Sequence, residues 1–284
     1  MIIDAHMHIG KLYVGERPLR PSMLLRFMDA HGIDRAALLP IESPEETHYY
    51  VTTDYVLRIC RRYPDRFIPF CCVDPRHGSG NSVEIARRKL AEYACRGCRG
   101  YGEAMTGLFI DDPRLMGIYE ACGELGLVVT YHIDGLRNID ERGFPRFDRV
   151  LRTFPRTIFV GHAQHFWAEV SGDVTEDQFS SYPKGPVAPG GATIRLFETY
   201  PNLCADLSAG SGYNALTRDP AFGYAFLERF QDRLMFGTDL CRNNQEIAII
   251  PYLRDAVATG RISREAYEKI MWRNAVRLLR LEAA

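Results

Sequence analysis

The chain has 284 residues, 46% of them hydrophobic and 25% charged, with a formal net charge of −1. That balance leaves no basic footprint for nucleic acid or an anionic membrane, and no apolar run approaches the roughly 20 residues needed to span a bilayer. The length suits one large core or two small ones, and barrels of parallel strands and helices commonly reach about 250 residues as one domain.

The first element is a short apolar strand, 2–8, which ends in His6 and His8 with Asp4 behind them. Residues i and i+2 of a strand share a face, so these three side chains project together. A helical pattern follows at 21–30 and stops at Gly32. Strand 35–41, helix 54–62, strand 67–74 and helix 82–94 come next. Strand 98–105 precedes a helix over 114–125, which Asp112-Pro113 opens as N-cap and N1 and Gly126 closes. Strand 127–133, a shorter helix at 144–154 and strand 157–163 follow. Helix 192–200, strand 203–208, helix 221–230, strand 234–240 and helices 245–258 and 263–281 complete the chain.

The strands are too continuously apolar to be half exposed, as expected of parallel strands covered on both faces. Eight of them alternate with helices, mostly about 30 residues apart, which indicates an α/β fold: a (β/α)8 TIM barrel, with 1–284 as one domain. A doubly wound open sheet is the structural alternative, but no Gly-rich phosphate loop follows any strand. The interval after strand six is longer than the rest. Residues 164–191 are expected to form an extended loop over the top of the barrel, as a lid or binding loop.

Catalytic groups of such barrels sit at the C-terminal ends of the strands. There the sequence puts His6 and His8 on strand one, Glu103 on four, His132 on five, His162 on six and Asp239 on eight. Each alone has a bland reading as a satisfied core group or turn cap. Together they are costly to bury without a partner ion, and imidazoles with carboxylates make a full ligand set for zinc or a related divalent metal. At the mouth, His165, Trp167 and Arg242 are candidate substrate contacts. The eight cysteines form no convincing metal or redox motif and read as free thiols of a reducing cytoplasm.

The order Asp4-x-His6-x-His8, His132, His162 and Asp239, with Gly161-His162-Ala163 and Phe236-Gly237-Thr238-Asp239, resembles the amidohydrolase superfamily and its amidohydrolase-related branch of hydrolases and metal-dependent decarboxylases. The resemblance implies that His6, His8 and Asp239 hold a first metal and that Asp239 takes a proton from the attacking water. It implies that His132 and His162 hold a second ion, or that His132 joins the first while His162 faces the substrate as a catalytic group. Many relatives bridge two metals with a carboxylated lysine on strand four. This chain has Gly102-Glu103 there, so Glu103 is the candidate bridge and decides between one ion and two. The leading expectation is a hydrolase that uses a metal-activated water on an amide, ester or lactone of a small molecule, with zinc as the expected ion. A nonoxidative decarboxylase of an aromatic or enoic acid is the alternative, and a non-catalytic metal-binding barrel a third. A homo-oligomer is compatible with all three.

Overall fold

In the computed structural model, which describes residues 1–43, 45, 48–77 and 82–282, each predicted strand segment contains a strand. They are β1 (Ile3–Met7), β2 (Arg35–Leu38), β3 (Phe67–Pro69), β4 (Gly100–Ala104), β5 (Val128–His132), β6 (Phe159–His162), β7 (Leu203–Asp206) and β8 (Leu234–Met235). All pair in parallel: β1, β2 and β3 in one run, and β4, β5, β6, β7 and β8 in another.

Backbone hydrogen bonds join the two runs at both edges. Cys71 N donates to Gly100 O (2.9 Å) and Gly102 N to Cys71 O (2.8 Å), while Ala5 N donates to Phe236 O (2.8 Å) and Asp239 N to His6 O (2.8 Å). Parallel bridges Cys71–Tyr101 and Met7–Leu240 complete the ring, so the sheet is a closed TIM barrel. Closure leaves no edge strand with unpaired backbone groups. One apolar cluster draws Ile3, Ala37, Ile68, Val128, Val160, Cys204 and Met235 from seven strands together with Leu278 and Leu279. A cluster reached by so many strands fills the inside of the ring.

The helices follow the predicted order. α1 (Pro21–His31), α2 (Thr53–Arg62), α3 (Ser82–Cys95), α4 (Pro113–Leu125) and α5 (Pro145–Thr153) each follow one strand. The Asp112 side chain accepts from Arg114 N (2.9 Å), and Gly126 ends α4 at φ 70°, as the sequence predicts.

After β6 the expected long loop, 164–191, includes two short helices, α6 (Gln164–Ala168) and α7 (Glu176–Phe179), before α8 (Ala192–Thr199). The segment is also tied down: Asn214 Nδ2 donates to Pro183 O (3.0 Å), Arg218 Nε to Gly185 O (2.8 Å) and Val187 N to Asp219 Oδ2 (3.0 Å). A second departure is α9 (Ala209–Thr217), which falls between strand 203–208 and helix 221–230, where no element is assigned from the sequence. Its glycine at 212 has a function in packing, since a Cβ there would lie 2.8 Å from the Leu207 backbone. Then come α10 (Pro220–Arg229) and α11 (Ile249–Ala258), the latter starting four residues late. Gln245 is used differently: its Oε1 accepts from Cys241 N (3.0 Å) and Arg242 N (3.1 Å), and its Nε2 donates to Asp239 O (2.8 Å). The C-terminal helical run, Arg264–Glu268 to Asn274–Leu278, contains a π-helical turn at Lys269–Arg273. Among the described residues no helix is long and apolar enough to cross a membrane.

Candidate metal centre

Parallel register puts the predicted ligands side by side. His132 and His162 are aligned partners on β5 and β6, with ring centroids 5.5 Å apart. His6 lies 4.5 Å from His162 and 5.1 Å from His8, centroid to centroid. Glu103 enters from β4 because Gly102 lets that strand crowd β5. A Cβ at Gly102 would sit 2.5 Å from Thr130 O, and its φ of 140° belongs to glycine.

Glu103 stands at the middle of the cluster, with one oxygen toward each histidine pair. Its Oε2 is 3.3 Å from His6 Nε2 and 3.2 Å from His8 Nε2; its Oε1 is 2.7 Å from His132 Nδ1 and 3.5 Å from His162 Nε2. Asp239 Oδ1 closes the first group, 3.3 Å from His8 Nε2 and 3.7 Å from His6 Nε2. All six predicted ligands are thus brought together, in two overlapping sets: His6, His8, Glu103 and Asp239, and Glu103, His132 and His162. Asp239 holds its place at φ 51°, a left-handed conformation that costs a non-glycine residue about 1–2 kcal/mol and is a frequent mark of functional sites.

Strand seven supplies a residue that the sequence reading missed. Asp206 accepts from His6 Nδ1 on Oδ2 (3.1 Å) and from His162 Nδ1 on Oδ1 (3.0 Å), and the Ser208 hydroxyl also donates to Oδ1. On the other side, His8 Nδ1 donates to Leu39 O (3.1 Å). As neutral rings, His6, His8 and His162 therefore all carry their proton on Nδ1 and turn the Nε2 lone pair inward. His6 and His8 Nε2 are 3.2 Å apart, and in that state neither can donate to the other. Facing lone pairs beside two carboxylate oxygens call for a cation, so the donor set fits a divalent metal whose histidines are oriented from behind. Asp134 was missed as well; its Oδ2 lies 3.2 Å from His132 Nε2, and it also pairs with Arg137.

The electrostatics agree. Burial opposes charge on Glu103, yet the imidazoles of His6, His132 and His8 hold its carboxyl well below the usual range. Against burial, His162 and His6 hold Asp206 low, and His8, His6 and His162 lower Asp239. In return the carboxylates overcome burial at His8 and His132 and raise each to about 9. His6 is likewise raised well above its ordinary value by Asp206 and Glu103 despite its burial. A field that stabilises imidazolium stabilises any cation in the same place.

Replacing Asp206 by Asn tests the arrangement. An amide offers one acceptor, so only one of the two imidazoles can keep its Nδ1–H bond, and the other must present the wrong nitrogen. Metal affinity measured by chelator competition is expected to fall about 10–100-fold. An affinity within twofold of the parent chain removes Asp206 from its orienting role.

The predicted substrate contacts fare differently. His165 is buried, bonded through Nε2 to Ser180 Oγ (2.6 Å) and stacked on Phe179 at 3.6 Å, so it fastens α7 to α6. Burial depresses its pKa to about 4, which keeps it neutral at pH 7. Trp167 is 2% exposed and packs between Phe166 and Phe226, in the core and not on a pocket wall. Arg242, with a 57% exposed side chain, turns to Glu16 (3.4 Å) and lies over the Tyr13 ring (4.9 Å).

The amidohydrolase family profile matches residues 3–281 of this chain. The chain belongs to the amidohydrolase family. Enzymes of this family use a divalent metal. The fold of this amidohydrolase is shared with an uncharacterised TIM-barrel protein from Bordetella bronchiseptica (21% identity, 99% of this chain and 98% of that one, TM-score 0.69). It is also similar to a putative 2-pyrone-4,6-dicarboxylic acid hydrolase from Pseudomonas putida (18% identity, 100% and 98% coverage, TM-score 0.65). A third similar structure is a dihydroxybenzoic acid decarboxylase from Polaromonas sp. JS666 with bound manganese and 2-nitroresorcinol (16% identity, 100% and 98% coverage, TM-score 0.59). None of the curated proteins matches the sequence. Hydrolases and decarboxylases thus share this barrel.

Proposed function

We propose that this amidohydrolase is a metal-dependent hydrolase of an amide, ester or lactone in a small molecule, with two divalent ions, zinc expected, at the strand ends. The observation that carries the reading is the division of Glu103: one oxygen serves His6 and His8, the other His132 and His162. A carboxylate so placed would serve two ions at once, and paired ions suit water attack on a carbonyl carbon. Arg242, one cation that a decarboxylase pocket could use, is engaged with Glu16 and Tyr13.

His6, His8, Glu103 and Asp239 would hold one ion, and Glu103, His132 and His162 the other. Ions held there supply Lewis acidity and a water acidified to a pKa of about 7. The protein's own work is positional. Asp206 fixes the inward nitrogens of His6 and His162. Asp239, kept ionised by its histidine neighbours, accepts the proton of the attacking water and passes it to the leaving group. All eight cysteines are free, which supports a cytoplasmic setting.

The test is a substrate panel on metal-loaded protein. Cleavage of an amide, ester or lactone is the expected result. Carbon dioxide released from a carboxylate panel, with no hydrolysis, replaces this reading by the decarboxylase one.

A further inference from the structure

A cavity of about 530 Å3 lies at the end of the barrel opposite the histidine cluster. Its frame comes from strand beginnings: Arg35 opens β2, Phe67 opens β3, and Arg99 directly precedes β4, with Arg61 added from α2. Leu57 and Ile68 extend its apolar wall.

Three arginines of this cavity lie close together around one space. Several guanidinium groups elsewhere are paired: Arg66 meets Asp29 (2.8 Å), Arg87 meets Glu120 and Glu124 (2.8 and 2.7 Å), and Arg146 meets Asp111 and Glu141 (3.0 and 2.9 Å). Arg96, at the rim of the same cavity, is taken up by Asp54 and Glu92. Arg35, Arg61 and Arg99 make no side-chain hydrogen bond or ion pair among the described residues. The two carboxylates that also line the cavity, Asp65 and Glu282, are not within ion-pair distance of any of the three. Moreover, Nε of Arg35 is buried without an acceptor. A buried N–H of a cation with no partner is costly and asks for one.

We propose that this cavity is a second ligand site, separate from the metal centre, for a small organic anion. A carboxylate or phosphate group would be met by Arg35, Arg61 and Arg99, whose planar forks suit either oxyanion, and a compact apolar body would lie against Leu57, Phe67 and Ile68. The volume falls within the roughly 300–1,000 Å3 of small-molecule pockets. The inference does not depend on the proposed hydrolysis, because none of these residues touches the histidine cluster.

Calorimetric titration of the full chain with benzoate and with phenyl phosphate tests it, with benzyl alcohol as the neutral probe. Saturable binding of at least one anion and none of the alcohol is expected, and which anion binds tells the carboxylate from the phosphate. Arg61→Ala and Arg99→Ala, both at exposed positions, should each weaken that binding about tenfold without changing the melting temperature of the free protein. Arg35→Met should do the same. The proposal is overturned if neither anion binds saturably, if the alcohol binds equally well, or if affinity is unchanged in Arg99→Ala and Arg35→Met.

Discussion

Asp239→Asn is expected to lower kcat by about a thousandfold, the middle of the range for a lost general base. The reason is local. Asp239 Oδ1 lies 3.3 Å from His8 Nε2, and the imidazoles keep its carboxyl ionised in spite of burial. Asparagine has nearly the same shape but cannot accept the proton. It also tolerates the left-handed backbone at φ 51°, so the variant should fold, and its circular dichroism and melting temperature should match the parent. Turnover within tenfold of the parent would refute the assigned role.

The second large effect is on composition. Glu103→Gln places an amide NH2 where one histidine pair now meets an oxygen, so the side chain can no longer serve both pairs. The parent chain is expected to hold two equivalents of zinc by elemental analysis after removal of free metal, and the variant at most one. If the parent itself holds one equivalent, Glu103 is not a bridge, and the argument for hydrolysis over decarboxylation loses its main support.

Much of this was legible because strand ends in a barrel converge. His6, His8, Glu103, His132, His162 and Asp239 needed no contact information, only the register that puts polar residues after apolar runs at one end. Asp206 could have been found by the same rule, since it ends the apolar run Leu203-Cys204-Ala205; a single buried aspartate without a histidine beside it gives a weaker signal. Asp134 is harder, because its reach to His132 depends on the turn after β5. The short helices α6 and α7, of five and four residues, are too brief to display a 3.6-residue period. Trp167 carried no mark in sequence to separate a pocket wall from core packing; its neighbours Phe166 and Phe226 settle it. The arginine-lined cavity was invisible for a similar reason: Arg35, Arg61 and Arg99 are far apart in the chain and meet only when three strand beginnings line up.

The ring closes where Ala5 N meets Phe236 O and Asp239 N meets His6 O. The ligands His6 and Asp239 are therefore among the first and last pieces of the barrel to be made, and they do not meet each other until β8 docks beside β1. The set His6, His8, Glu103 and Asp239 is incomplete while the last strand is still unmade, whereas Glu103, His132 and His162 come together as soon as β4, β5 and β6 have paired. An ion on that first set would be captured only after the ring has closed.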